Sequence, residues 1–464
     1  MNQVVIYNFT IKAVSPVYFG TDKDGEIVLD SDDKPIILGN AIGGALRDYL
    51  KRTNIPHETI LNYMGGTDDE SKKDVNNFKP SSIYISDGEI KIGPDGIIEK
   101  EGTTVDPEYG TAKENHKYKI KYFPEGSEIS FSIECDDWSK PEYEKMIELC
   151  PLELEKLIIT WAQGIQSQNL LFGGQKSNGF GRFQVSKINK IAYAFKSTQD
   201  INEYIFNRNA INGQVIPWDK LDYYNVDGND SVSISMAGQF LYGVYQGFAI
   251  PKGTSIKNEL TGLLENSSQD IDKKLYYLPS TSIKGLIRNE IYLLIKRLIE
   301  DDELANKKCS ELFGDTDKRG KLTFSDLQIK DGKEVNIKRS ATKEGIPTYI
   351  KIDRLTGGAF HTAFKQQREI QGKATITFSL KTDTSDTNPY LFPLIYVLKR
   401  IGSGLVPIGG RTVIGLGEFS AHKVTVINGS KQEFEVNEKL SEHSRKLLEE
   451  YYNVFKRWCD NGYA

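Results

Sequence analysis

Two glycine-rich stretches, 173–181 (GGQKSNGFG) and 409–417 (GGRTVIGLG), hold the residue types best suited to approach a phosphate chain. Glycine lets the backbone bend tightly and bring N–H groups close to an anion. Lys176 and Arg411 sit inside the two stretches and could add charge. A nucleotide-binding glycine motif follows a strand and opens a helix, whose N-terminus then meets the phosphate. Here helical periodicity precedes the glycines and a strand pattern follows them, which excludes both the Rossmann and the P-loop reading. Two roles stay open for Gly174, Gly179, Gly410 and Gly415: contact with a phosphate backbone, or a turn packing against the preceding helix. The next group is the start of two helices, with Asn40 in one and Ser280 and Ser282 in the other. Such residues cap helices, and a helix N-terminus built from small side chains can also take a phosphate. Arg47 and Arg288 follow on the same turn of each helix, as surface charges or as anion contacts.

The remaining chemistry is acidic. Asp22, Asp24, Glu26, Asp30, Asp32 and Asp33 crowd one loop, and acidic loops are most often only solvated. None of the five histidines (His57, His116, His361, His422, His443) occupies a position shared between the recurring segments, which disfavours a histidine general base. The cysteines, Cys135, Cys150, Cys309 and Cys459, form no C-x-x-C pair and no zinc pattern, so they read as reduced, buried thiols of a cytoplasmic protein.

The elements that must position these residues come twice. LGNAIGGALR (38–47) matches PSTSIKGLIR (279–288), and SSIYISDGEI (81–90) matches GKLTFSDLQI (320–329). VDPEYGTA (105–112) matches IDRLTGGA (352–359), and the two glycine stretches match each other. The offsets run only from 236 to 247 residues, and four collinear matches at so constant a spacing mark a tandem duplication. A period this long is a whole domain rather than a solenoid unit. Each copy opens with an alternating strand (4–17 and 231–245) and continues into a helix (41–52 and 282–299). Short strands, a variable segment, a strand ending in FSI or FSL, and a second helix (151–171 and 389–401) follow in each. That order predicts an α+β class: two tandem ferredoxin-like (RRM-like) domains at 1–192 and 231–426. A linker is expected over 193–230 and a helical tail over 427–464, its helix at 436–458 packing on the second domain.

Composition bounds the function only loosely. A charged fraction of 27% beside 38% hydrophobic residues suits ordinary globular cores, which argues against disorder. No run of about 18 apolar residues is present, so no membrane span is expected, and the N-terminus reads as a strand rather than a secretory signal. The formal net charge of −5 argues against a protein that coats nucleic acid over its whole surface, while leaving room for a local basic channel.

In order along the chain, these motifs resemble the RAMP superfamily, and more narrowly the repeated backbone subunits of type III CRISPR effector complexes. The second copy carries the pattern well, in Pro279-Ser280-Thr281-Ser282-Ile283-Lys284-Gly285, Phe324-Ser325-Asp326, Ile352-Asp353-Arg354 and 409–417. The first copy departs from it, with Gly43 in place of Lys284 and Pro107 in place of Arg354. The resemblance spans nearly the whole chain except the linker and the tail. It implies subunits that stack along a guide RNA and meet its complementary target RNA, beside a large signature subunit and other backbone subunits. It also implies thumb insertions after the V/I-D motifs, at 106–122 and 349–368, that wedge into the guide–target duplex. In members that cut target RNA, an Asp in the loop after the first strand works with a divalent metal, Mg²⁺. On that pattern Asp24 is the expected metal-holding and cutting residue and Asp22 the next candidate. The second copy has no acid from 238 to 258, so its domain is expected to bind RNA without cutting it. The implied RNA contacts are Asn40, Arg47, Gly174, Lys176, Gly179, Ser280, Ser282, Lys284, Arg288, Arg354, Gly410, Arg411 and Gly415. The rival expectations are a non-catalytic guide-binding scaffold and a guide-processing endonuclease acting alone.

Overall fold

A computed structural model describes residues 4–21, 25–67, 79–93, 96–106, 108, 112–136, 151–193, 195–206, 213–225, 231–245, 264–266, 275–315, 318–335, 337–340, 343–345, 348–349, 352–358, 365–366, 369–381 and 388–460. It divides into two compact units. Unit 1 comprises Met1–Glu99, Ile120–Lys176 and Phe180–Gly228. Unit 2 comprises Lys100–Lys119, Ser177–Gly179 and Asn229–Ala464.

The first half of the chain runs β1 (Val4–Ala13), β2 (Ile36–Ile37), α1 (Gly39–Leu50), α2 (His57–Met64), β3 (Ile83–Ile85) and β4 (Gly88–Lys91). It continues through β5 (Ile98–Val105), β6 (Ala112–Tyr122), β7 (Glu128–Asp136), α3 (Pro151–Gln166), β8 (Phe183–Tyr193), α4 (Thr198–Phe206) and β9 (Gln214–Val215). The main sheet has the order β2-β4-β7-β1-β8-β9, with β3 also on β7. β1 lies between β7 and β8, antiparallel to both. Its period-2 pattern divides its faces. Val5, Tyr7, Phe9 and Ile11 enter the main core with Ile42, Leu46 and Tyr49 of α1 and Leu157, Ile158, Trp161 and Ile165 of α3. Val4 and Ile6 turn the other way, to a small cluster with Ile191, Tyr193 and Tyr204. Trp161 is fully buried and donates its indole N–H to the Leu46 carbonyl at 3.2 Å, which satisfies the one polar atom of a large core side chain. The stretch expected to be a linker carries α4 and β9, and β9 pairs with β8.

The second half repeats the plan. It runs β10 (Ser231–Val244), β11 (Leu264–Asn266), β12 (Leu275–Leu278), α5 (Ser280–Ile299), α6 (Asp302–Phe313), β13 (Leu322–Phe324) and β14 (Leu327–Glu334). The short strands β15 (Ile337–Ser340), β16 (Lys343–Gly345), β17 (Thr348–Tyr349) and β18 (Lys365–Gln366) follow. β19 (Ile370–Lys381), α7 (Leu391–Gly402), β20 (Phe419–Ala421), β21 (Lys423–Asn428), β22 (Ser430–Glu435) and α8 (Glu442–Asp460) complete it. Here β10 is central, flanked by β19 and by β20 and β21, as β1 is flanked by β7 and β8. Ile283, Ile287, Ile291 and Ile295 give α5 one buried stripe, which joins Val232, Ile234 and Met236 of β10 and the apolar α7 in a single core. The expected tail helix is α8, and it does pack on this unit: Phe455 and Cys459 are buried, and the Lys308 ammonium on α6 donates to the Trp458 carbonyl at 2.7 Å. Cys135, Cys309 and Cys459 are buried free thiols, whereas Cys150 lies outside the described residues. Burial pushes Cys309 and Cys459 up to about 12, which leaves both inert at neutral pH. Among the described residues no helix is long and apolar enough to cross a membrane.

Candidate nucleic-acid interface

The glycine stretches fold alike. In the first, φ is positive at Gly173 (77°), Gln175 (56°), Gly179 (81°) and Gly181 (82°). In the second it is positive at the matching Gly409 (93°), Arg411 (55°), Gly415 (91°) and Gly417 (84°). Each loop carries one 3-10 turn, at Lys176–Asn178 and Thr412–Ile414. What anchors them is the chain at or just beyond the end of the first strand of each copy, not the preceding helix. Gly174 N–H donates to the Tyr18 carbonyl at 2.7 Å, and Gly410 N–H to the Tyr245 carbonyl at 2.6 Å. Gly181 N–H reaches the Pro16 carbonyl and Gly417 N–H the Gly243 carbonyl, both at 2.9 Å. A Cβ on Gly181 would stand 2.0 Å from the Phe172 carbonyl oxygen, and one on Gly417 1.9 Å from that of Ile408. Glycine spacing is thus set by close backbone approach, and the N–H groups of Gly174 and Gly410 are spent inside the fold. Arg411 keeps a charged head at the loop, its guanidinium 5.6 Å from the centre of the Tyr245 ring.

The helix starts show a correction. Sequence reading put the caps on Asn40, Ser280 and Ser282, but α1 and α5 begin with Leu38 and Pro279 at the N-cap, and neither helix has a side-chain cap from there. The carboxylate comes instead from the Ser-Asp turn far along the chain. Asp87 Oδ1 accepts the Gly39 N–H at 2.6 Å, and Asp326 Oδ1 accepts the Ser280 N–H at 2.7 Å. A fixed negative charge therefore occupies the positive end of each helix, the place an RNA phosphate was expected to use. Sequence reading missed both residues, although the recurrence of Ser-Asp in the two copies was the available signal.

The basic side chains diverge. Arg47 donates to the Met64 and Gly65 carbonyls and so closes the end of α2. In unit 2, the Lys284 ammonium donates to Ser177 Oγ at 2.9 Å, and the Ser280 hydroxyl donates to the Asn178 carbonyl. Burial, and then the Arg288 guanidinium nearby, pushes Lys284 down to about 8. Asn40 is exposed, Ser282 and Arg288 are half-buried, and Arg354 is exposed on a turn. That turn is built by the Asp of the I-D-R motif. Asp353 accepts from Leu355 N–H and Thr356 Oγ1, both at 2.9 Å, and these bonds hold its carboxyl below the usual carboxylate range. Asp106 makes the same two-residue turn, accepting from Glu108 N–H at 2.9 Å. Leu355 stands 93% exposed at the tip of the second. Most of the 359–368 part of the expected thumb lies outside the described residues.

Asp22 and Asp24 also lie outside the described residues. Their described neighbours are committed. Glu26 pairs with Lys121 at 2.8 Å, and Gly25 accepts the Lys121 N–H at 2.7 Å. Asp30 Oδ1 accepts the N–H groups of Asp32 and Lys34 at 2.8 and 2.9 Å, and the Lys34 bond above all lowers its pKa. Among the described residues no group of three or more His, Cys, Asp or Glu side chains is placed to hold a metal ion.

Two antiparallel sheets backed by helices, each with an Asp-capped helix and the same glycine loop, define a duplicated mixed α/β protein. The chain belongs to the RAMP superfamily, whose family model matches residues 10–184 and 259–462, one region in each copy. That membership brings a CRISPR-associated, RNA-binding function in the broad sense. No curated protein matches the sequence.

Proposed function

We propose that this protein is a backbone subunit of a type III CRISPR effector, each copy a ferredoxin-like domain that grips one segment of guide RNA and meets the complementary target. The observation that carries the reading is duplication at atomic detail. Both copies keep an Asp-capped helix, a loop with positive φ at four matching positions, and an Asp turn, at Asp106 and Asp353, within the segment expected to be the thumb. Two equivalent modules in one chain suit a ligand that repeats along its length, as a guide RNA does. Lys176 and Arg411 on the loops, Lys284 and Arg288 on α5, and Arg354 on its turn supply the positive charge. Phosphate contacts of that kind give sequence-independent grip. The partners are guide RNA, target RNA, the large signature subunit and other backbone subunits.

Target cutting belongs to the first copy. Asp24, with Asp22 next, would hold Mg²⁺, which supplies charge neutralisation at a scissile phosphate. A non-catalytic scaffold is the second reading, favoured by the commitment of Glu26 to Lys121 and of Asp30 to backbone N–H groups. The deciding experiment is cleavage of labelled complementary RNA by the guide-loaded assembly with Mg²⁺, wild type beside Asp24→Ala. Loss of one cut with guide and target binding intact supports the nuclease reading. An unchanged pattern for Asp24→Ala and Asp22→Ala leaves the scaffold.

A further inference from the structure

The two copies differ in charge on the sheet faces turned away from their helices. Side chains alternate between the faces of a strand, and residues paired across two strands share a face. In unit 1, β4 and β7 pair Ile90 with Ile129 on the core side. The next pair, Lys91 with Glu128, therefore points outward, its ammonium and carboxylate 3.9 Å apart. In unit 2, β14 and β19 pair Ile329 with Ala374, both buried, and the next pair outward is Lys330 with Lys373. Ile90 and Ile329 end two matching segments of the duplication, so Lys330 matches Lys91. Lys373 then stands in the register place of Glu128.

Like charges directly opposite on one face of a sheet repel and destabilise the pairing. Unit 2 adds a third. A bulge between Lys330 and Lys333, with Asp331 at a left-handed φ of 54°, sets Lys333 opposite Gln371 on the same outward side. All three lysines are exposed, and none is in an ion pair with a described residue. Asp331, the acid of the bulge, is exposed and likewise outside any described ion pair. Beyond Lys373, β10 places Gln239 opposite it, and β20 places Ser420 opposite Gln239. Ammonium, amide and hydroxyl donors thus follow one another across the strands with no carboxylate between them.

Lysine beside amide and hydroxyl donors is the chemistry that holds a phosphate chain. α5 and α7 pack on the opposite face of this sheet, so the cluster is separate from Lys284 and Arg288 of α5. Resting on the RNA-binding reading, we propose that Lys330, Lys333 and Lys373 form a further phosphate site, which takes the backbone of single-stranded RNA on the outward sheet face of unit 2. Unit 1 lacks the site because Glu128 neutralises Lys91.

The test is fluorescence anisotropy of labelled oligouridine and of a mixed-sequence RNA strand with the full chain, freed of nucleic acid, over a salt series. Lys373→Glu gives unit 2 the charge pattern of unit 1. It should weaken both RNAs alike by about tenfold or more, the loss of charge-assisted hydrogen bonds. Its salt slope should fall by about 1.4, two phosphate contacts on a single strand. The thermal midpoint should hold or rise, because repulsion across the strands becomes attraction. Lys330→Gln combined with Lys333→Gln should weaken binding by removing charge alone. Glu128→Lys, the converse change, should strengthen it. Lys446→Glu, the same change in net charge on the exposed side of α8, should stay within a factor of about two of wild type. A Lys373→Glu chain that binds like wild type, or a Glu128→Lys chain no tighter than wild type, overturns the proposal and leaves the RNA reading standing. A loss matched by Lys446→Glu reduces the effect to net charge and overturns it as well. A wild type that binds neither RNA overturns both.

Discussion

Removing the Asp326 carboxylate tests whether the positive end of α5 is closed or open to an anion. Asp326 is half-buried and accepts the Ser280 N–H at 2.7 Å, whereas Asp87 does the same for Gly39 from an exposed position. Loss of a capping acceptor costs about 0.5–2 kcal/mol, and loss of a negative charge at a helix N-terminus about 0.3–1 kcal/mol. Asp326→Ala should fall near the upper end of the combined range and Asp87→Ala near the lower, because solvent replaces an exposed acceptor more readily than a half-buried one. Asp326→Asn keeps an acceptor oxygen and should lose only the charge part. Because the chain has two units, a global unfolding midpoint mixes them, so the assay is hydrogen exchange on peptides covering the first turns of α1 and α5. About 1.4 kcal/mol appears as about tenfold faster exchange of the amides that open with that turn. The same Asp326→Ala protein, titrated with single-stranded RNA, reports on function. If the helix end is a phosphate site held shut by Asp326, affinity rises and its salt dependence steepens. If RNA tracks the loops and side chains instead, affinity stays within a factor of about two. Unchanged exchange in both alanine variants would refute the capping argument.

Gly417→Ala places a Cβ 1.9 Å from the Ile408 carbonyl oxygen at a left-handed φ, so the chain should fail to accumulate in folded form; Gly415→Ala is also left-handed but meets nothing within 4 Å. Gly415→Ala should therefore cost only about 1 kcal/mol, and comparing soluble yield and thermal midpoint of the two separates contact from conformation. Lys284 gives a pH test. Its folded value of about 8 lies below the ordinary 10.5, so between those values the folded chain binds fewer protons than the unfolded chain. Stability should rise with pH across that window, and the burial penalty should be fully present below about pH 8. Lys284→Met removes the titration, so its thermal midpoint relative to wild type should be highest below about pH 8 and decline towards pH 10.5. A difference independent of pH would show that Lys284 is not the group responsible.

The sheet plan was open to reading because its determinants are local. Alternation along β1 and β10 and the apolar stripe of α5 depend on neighbours two to four residues away. The four recurring segments mark the duplication along the chain itself. Helix ends were placed less well, since α1 and α5 each start two residues before the expected position. The linker reading of 193–230 rested on Asn, Asp and Gly content and did not anticipate α4, whose Tyr204 packs with Ile6, Ile191 and Tyr193.

The glycine spacing belonged to the sequence alone: it marked a tightly bending backbone in both copies, whereas the left-handed φ at Gln175 and Arg411, which no glycine marks, came only with the fold. Which atoms the loop meets came with it too, because Pro16, Tyr18, Gly243 and Tyr245 approach from more than 150 residues away. The same holds for charge. Asp87 and Asp326 are surface acids by composition, and only the return of their turns to the starts of α1 and α5 makes them caps. Arg47 is a helix-surface cation by its spacing, and only the folding of α2 against it turns it to the carbonyls of Met64 and Gly65. Local sterics and periodicity act along the chain and can be read there. A hydrogen bond or a charge pair depends on distance in space, which the chain settles only when it folds.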